Sequence, residues 1–349
     1  MFALTRQDTA VLKGIAICAM LCHHLYAFPP ETVEAYHGVL RWIGVLGKIC
    51  VALFLFCSGY GLATNYKQDS IREDIKFIAR RLVKFYANYW IIFVVFVPIT
   101  VFVFHRTLVD AYGEHVNIIK RLLFDIIGIQ GYSSYNPTWW FNKVILILYL
   151  LFPLLCRAIR FKPWLMLLVS FAVMRASVYV PDSLNTVDIL TWQCPFVMGA
   201  VWKMYEDRFP KIGEWLGNHP YLFGGISVLL LIVMVILRMY AIIPYWSGIQ
   251  MDGFLSCSIA LCLIAILRKA KYIMSMFAFL GKHSMNIYMT HTFVNAFWCS
   301  QLLHTCEWMR GGGNFIVLVI ICLLVSIIIE FLKEKIRFYE CVKNIIRHI

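Results

Sequence analysis

Two histidines, His23 and His24, sit in the second half of VLKGIAICAMLCHHLYAF (residues 11–28), a stretch otherwise apolar enough for a lipid bilayer. An imidazole titrates near neutral pH and can take up or return a proton. An ionisable group at membrane depth is costly, so it marks a functional site by default. Lys13 precedes His24 by 11 residues. At ~100° per residue the two differ by about 20° in azimuth, so they share a face. At 1.5 Å per residue they stand ~16 Å apart. One stripe therefore leads from a cation near the helix start to an imidazole near mid-membrane. His23 points about 80° away from Lys13 and reads as structural or cavity-lining.

A second stretch, LGKHSMNIYMTHTFVNAF (residues 280–297), has a similar design. Ser284, Tyr288, His291 and Asn295 fall at i, i+4, i+7 and i+11, one polar face on an apolar helix. His291 lies ~14 Å from Lys282 along the axis. With both helices starting on one side, His24 and His291 reach the same depth and would line a shared cavity. Whether the two helices are neighbours is not legible in the spacing. Arg175 lies ~18 Å along the fifth apolar run, near the midplane. No acidic residue stands at matching depth, which leaves a substrate, helix dipoles or water as its partner.

These residues need a membrane scaffold, and the composition provides one. The chain has 349 residues, 61% hydrophobic and only 15% charged, where a soluble protein would carry about 25% charged residues. Apolar runs of about 20 residues recur, the length of a spanning helix. The expected fold is an all-α polytopic membrane protein with about ten transmembrane helices and a single transmembrane domain over residues 1–349. The spans are expected at 10–28, 41–64, 82–104, 138–157, 163–180, 187–205, 221–240, 250–267, 282–303 and 313–333. The first lacks a small-residue cleavage site and is expected to be retained. Residues 117–135 are shorter and mixed, and read as an external loop carrying an interfacial or re-entrant helix.

Of the 32 Lys and Arg residues, 22 fall on the N-tail, the even-numbered connections and the C-tail, and six on the odd-numbered connections. This asymmetry places both termini in the cytoplasm. Most of the net charge of +13 is then a topology signal, and no nucleic-acid partner is expected. Trp42, Trp139, Trp140, Trp246 and Trp298 lie near span ends, as interfacial aromatics do. The 12 cysteines are scattered without metal spacing, so no metal site is expected.

Five segments in order resemble the acyltransferase-3 family of bacterial integral membrane O-acyltransferases. Lys13-GIAICAMLCH-His24 is similar to the family's Arg-x10-His, with Lys for Arg. LFLFCSGYGLA carries the Ser-Gly-aromatic pattern as Ser58, Gly59 and Tyr60. RRLVKFYANYW keeps Arg80, Arg81 and Tyr89 of a basic motif, with Lys84 for Arg and Ala87 for Pro. NPTWWFNKVILILYLLFPLL resembles a Trp-rich segment ending in Tyr149 and Pro153. LGKHSMNIYMTH matches a C-terminal motif at Gly281, Ser284, Tyr288 and His291.

The resemblance implies transfer of an acyl group, often acetyl, from a cytoplasmic acyl-CoA to a hydroxyl of a glycan or lipid-linked envelope acceptor at the bacterial inner membrane. It makes His24 the catalytic histidine, and a base for the hydroxyl is what that reaction needs. Acyl-CoA enters as a substrate, and no permanently bound cofactor is expected. Arg80, Arg81 and Lys84 would hold the coenzyme phosphates or contact lipid headgroups, and Lys13 has the same two readings. His291, Ser284, Tyr288, Arg175, Ser58 and Trp140 are expected around the cavity. Ser58 with Gly59 also fits close helix packing. The aromatic segment Tyr132–Trp140 suits sugar stacking or an interfacial belt. No fused hydrolase-like domain is expected after the last helix. A homo-oligomer or a periplasmic partner is compatible with the reading. The rival is a transporter or flippase using His24, His291 and Arg175 as a proton or anion relay.

Overall fold

The structure, a computed structural model, describes residues 2–29, 36–67, 70–130, 134–181, 187–240, 248–305 and 312–349. Among them all regular structure is helical. In chain order the α-helices are α1 (Arg6–Cys22), α2 (Gly38–Leu46), α3 (Ile49–Asn65), α4 (Ile71–Phe102), α5 (Leu108–Tyr112), α6 (Ile118–Ile127), α7 (Trp140–Phe161), α8 (Pro163–Ala176) and α9 (Val187–Tyr205). They continue with α10 (Pro210–Asn218), α11 (Pro220–Tyr240), α12 (Asp252–Ala265), α13 (Lys271–Lys282), α14 (Ser284–Thr292), α15 (Ser300–Thr305), α16 (Gly313–Lys335) and α17 (Phe338–Arg347). Two π-helical turns extend the helices that matter most: His23–Ala27 follows α1, and Phe293–Trp298 follows α14.

The expected spans fall on helical stretches, with 41–64 divided between α2 and α3. Seven segments among the described residues are long and apolar enough to cross a membrane: Arg6–Ala27, Gly38–Asn65, Ile71–Phe102, Pro137–Phe161, Pro220–Tyr240, Gly248–Lys269 and Gly313–Lys335. Of the other three expected spans, 163–180 contains α8, 187–205 coincides with α9, and 282–303 is divided among α14, the Phe293–Trp298 turn and the start of α15. Trp246 and Arg310 lie outside the described residues, as do Tyr132 and Ser133 of the aromatic segment.

The chain folds into two compact units, each built from discontinuous stretches. Unit 1 comprises Met1–Met20, Leu46–Gln68 and Leu151–Lys282. Its helices approach by removing side chains where they cross. A methyl group at Gly59 of α3 would overlap the Phe196 carbonyl of α9, and one at Gly199 of α9 would overlap the Phe56 carbonyl of α3. The α1/α13 crossing is built the same way: Gly14 faces the Phe277 carbonyl, and Gly281 faces the Ala10 carbonyl. Lipid tails provide no hydrophobic drive for helix pairing, so close backbone packing of this kind is how such helices associate. The N-terminal segment is tied down by polar contacts. Asp8 pairs with Arg268 at 2.7 Å, and the Tyr60 hydroxyl donates to Glu206 while accepting from the Leu4 N–H.

Unit 2 comprises Leu21–Val45, Asp69–Leu150 and His283–Ile349. The buried ammonium of Lys333, on α16, donates to Asn88 at 2.9 Å, Asn286 at 2.8 Å and Glu330 at 3.1 Å. It thereby joins α4, α14 and α16. Glu330 also accepts from the Tyr339 hydroxyl of α17, so the amphipathic α17 is fixed to the same node. In the charge count Lys333 is one more topology residue. Its burial with three partners is what the count does not reveal.

The helix expected within 117–135 is α6, only 10 residues long. At ~15 Å it is too short to cross a bilayer. Gly128, at φ 78°, closes it in a left-handed conformation that favours glycine. Its last carbonyls are taken by α4: the Trp90 indole donates to Ile126, the Tyr86 hydroxyl to Ile127 and the Tyr89 hydroxyl to Asp125. The buried Asp125 carboxylate accepts from the Tyr112 hydroxyl at 3.0 Å and the Tyr135 N–H at 3.2 Å. Burial nevertheless pushes its pKa up to about 6 from an ordinary 3.8.

Two predictions follow from this packing. Gly281→Ala must push α1 and α13 apart, at about 1–3 kcal/mol or more, and a lowered melting temperature in detergent is the check. For Asp125 the folded chain holds its proton more tightly than the unfolded chain. Its contribution to stability is therefore full below pH ~4 and lost as pH rises through ~6, about 3 kcal/mol in all. Asp125→Asn should flatten that part of a melting-temperature profile measured from pH 4 to 7.5.

Candidate active site

The first helix keeps α geometry to Cys22 and then turns through π geometry from His23. Its last two residues up to His24 therefore do not follow the 100° step assumed from spacing. Such π turns often occur at functional positions. A helix end leaves its last four carbonyls without intrahelical partners. Here side chains serve two of them: Arg41 donates to the Ala27 carbonyl, and Asn295 Nδ2 donates to the His24 carbonyl at 3.3 Å.

The His24 and His291 rings lie 4.9 Å apart, centroid to centroid. Their equal depth was legible in the sequence, and the structure adds that they are neighbours. His291 is fully buried, and its Nδ1 lies 2.8 Å from the Tyr288 carbonyl and 3.2 Å from that of Ile287. Carbonyls only accept, so Nδ1 carries the proton and Nε2 keeps its lone pair. Thr292 Oγ1 lies 3.4 Å from that Nε2 and 3.3 Å from Thr138 Oγ1. His24 is only half-buried, so of the two rings it is the more accessible.

His23 takes the structural role. Its Nδ1 donates to the Gly44 carbonyl at 2.8 Å, and Gly44 has room for no side chain there because a methyl would meet Tyr26 and Ala27. Tyr288 donates to the Thr138 carbonyl or to Asn142 Oδ1, at 3.1 and 3.0 Å, which joins α14 to the Trp-rich segment. In the same segment Trp139 Nε1 and Asn136 Nδ2 donate to the Met289 carbonyl, two residues before His291. Trp140 is buried against Phe141 and Ser284 is buried on α14.

The remaining expected residues divide between the units. Arg80, Arg81 and Lys84 lie on α4 of unit 2, with Lys84 exposed and the Arg81 guanidinium 5.2 Å from the Phe77 ring centre. Lys13, Ser58 and Arg175 belong to unit 1. Lys13 is half-buried on α1, beside the Gly14 crossing, and Ser58 is half-buried on α3, beside Gly59. Arg175 donates to Gln250 Oε1. Among the described residues no group of three or more His, Cys, Asp or Glu could hold a metal ion.

Sequence reasoning missed three buried polar residues behind the pair. His304 Nε2 lies 3.2 Å from Asn295 Oδ1, and Tyr36 and Asn314 lie beyond it. The available signal was a lone polar residue in an apolar run, which Asn314 is at the start of α16.

A family profile described as an acyltransferase domain, Acyl_transf_3, matches residues 10–333. No curated protein and no solved structure matches the chain.

His23→Ala leaves the Gly44 carbonyl without its donor and should cost about 1–3 kcal/mol. The melting temperature should fall, while any ligand bound by the wild type at α4 is still bound.

Proposed function

The chain belongs to the acyltransferase-3 family of membrane acyltransferases, and from that premise we propose that it moves an acetyl or similar acyl group from a cytoplasmic acyl-CoA to a hydroxyl of an outward-facing glycan or lipid-linked acceptor in the bacterial inner membrane. The observation that supports this reading is the histidine pair: an accessible His24 ring 4.9 Å from a buried His291 whose Nδ1 proton is committed to backbone carbonyls.

In this reading His24 is the general base. The acceptor hydroxyl oxygen attacks the thioester carbonyl carbon as its proton passes to the imidazole, giving a tetrahedral oxyanion. The oxyanion collapses, the carbon–sulfur bond breaks, and the coenzyme thiolate takes the proton back from the imidazolium. An ester and free coenzyme A result, and the enzyme returns to its starting protonation. His291 offers a lone pair to the imidazolium between the two steps. Direct attack needs no enzyme nucleophile, which leaves Ser58 to helix packing. Arg80, Arg81 and Lys84, together on α4, are assigned to the coenzyme phosphates, for which guanidinium forks have matching geometry. Tyr288, Ser284 and Trp140 are assigned to the cavity.

The test is acetyl-CoA titration and coenzyme A release on detergent-purified protein. Wild type should bind acetyl-CoA and hydrolyse it slowly without acceptor. His24→Ala should bind equally and release coenzyme A at least ~100-fold more slowly. Arg80→Ala/Arg81→Ala should bind ~10-fold or more weakly. Folded wild type that binds no acyl-CoA overturns the donor assignment, and wild-type release by His24→Ala overturns the base.

A further inference from the structure

A chain of buried side chains starts and ends on the π turn that carries His24. At one end the Tyr26 hydroxyl donates to Asn314 Oδ1 at 3.0 Å. Asn314 Nδ2 donates to the Tyr36 hydroxyl at 2.8 Å and to the Leu303 carbonyl at 3.3 Å. Tyr36 lies 3.4 Å from His304 Nδ1, and His304 Nε2 lies 3.2 Å from Asn295 Oδ1. Asn295 Nδ2 then donates to the His24 carbonyl at 3.3 Å.

Elementary donor and acceptor rules give this chain a direction. Asn295 Oδ1 can only accept, so His304 carries its proton on Nε2. Its Nδ1 then accepts, and the donor is the Tyr36 hydroxyl, which itself accepts from Asn314. Five side chains thus form a loop from the Tyr26 hydroxyl to the His24 carbonyl, two residues apart on one helical turn. Tyr26, Tyr36, Asn295, His304 and Asn314 are all buried, and every bond among these five side chains is shielded from solvent. Nothing in acyl transfer needs Asn295 or His304 as reacting groups, yet their bonds converge on the backbone of His24.

We propose that Asn295 and His304 are positioning residues that hold the His23–Ala27 turn in π geometry and so aim the His24 imidazole at the reacting hydroxyl. The inference rests on His24 being the general base. Asn295 fixes the backbone of His24 directly. His304 fixes the orientation of the Asn295 amide, because only with Oδ1 toward His304 does Nδ2 face the carbonyl. A base misplaced by about 1 Å can lose on the order of 100-fold in rate.

Acetyl-CoA affinity and the rate of coenzyme A release separate this from a structural role. Asn295→Leu keeps the branching of the side chain, His304→Leu keeps an apolar filler in place of the ring, and both remove the bonds. Each should lower kcat by roughly 10- to 100-fold while acetyl-CoA affinity stays within about twofold of wild type. His304→Gln restores a donor near Nε2 and should recover kcat to within about threefold. Asn295→Asp keeps the acceptor for His304 but removes the donor to His24, and should behave like the leucine variant. An inactive His24→Ala alongside wild-type kcat in Asn295→Leu and His304→Leu overturns the positioning role and spares the base. An active His24→Ala overturns the base itself. If the leucine variants do not fold, Asn295→Asp and Tyr36→Phe give the same readings with smaller changes, and wild-type kcat in both overturns the proposal.

Discussion

A buried helix end must find partners for its last carbonyls, and much of unit 2 is arranged around one such end. The first helix stops at Ala27 inside packed protein. Two of its final carbonyls receive Arg41 and Asn295. Each donor must itself be held, which draws in the second π turn, α15 and the start of α16. An unmet carbonyl there would cost about 1–3 kcal/mol. The polar network around His24 is thus required by backbone chemistry before any reaction is considered.

The two units use different means to hold the same two chain segments. In unit 1, α1 and α13 meet through glycines, backbone on backbone, with no polar side chain needed. In unit 2 the continuations of those segments meet through imidazoles and amides. Close apolar packing gives a rigid crossing, whereas the polar contacts leave groups that can exchange protons. Gly281 and His291 belong to one sequence motif and serve these two purposes ten residues apart.

Much of this was legible in the sequence because it rests on periodicity. Apolar runs located the helices, and the i, i+4, i+7, i+11 pattern located the polar face of α14. The equal depth of His24 and His291 followed from rise per residue. Their contact did not, because helix adjacency depends on glycine crossings that only tertiary packing reveals. The π turns escaped because a change from 3.6 residues per turn leaves no mark in composition. His304 and Tyr36 escaped for a different reason: their importance comes from what they touch across distant stretches of chain. Lys333 was counted among the basic residues of the cytoplasmic side, since a charge count carries no information on burial.

The protonation of His291 limits how charge can move through this site. Its Nδ1–H faces the carbonyls of its own helix, so that nitrogen opens onto nothing that can carry a proton onward. A proton arriving at Nε2 can leave only by the atom it entered. A relay across a membrane needs imidazoles that receive on one nitrogen and release from the other. His291 is therefore a cul-de-sac and not a link in a wire. Such a ring is suited to accepting and returning a proton through one nitrogen.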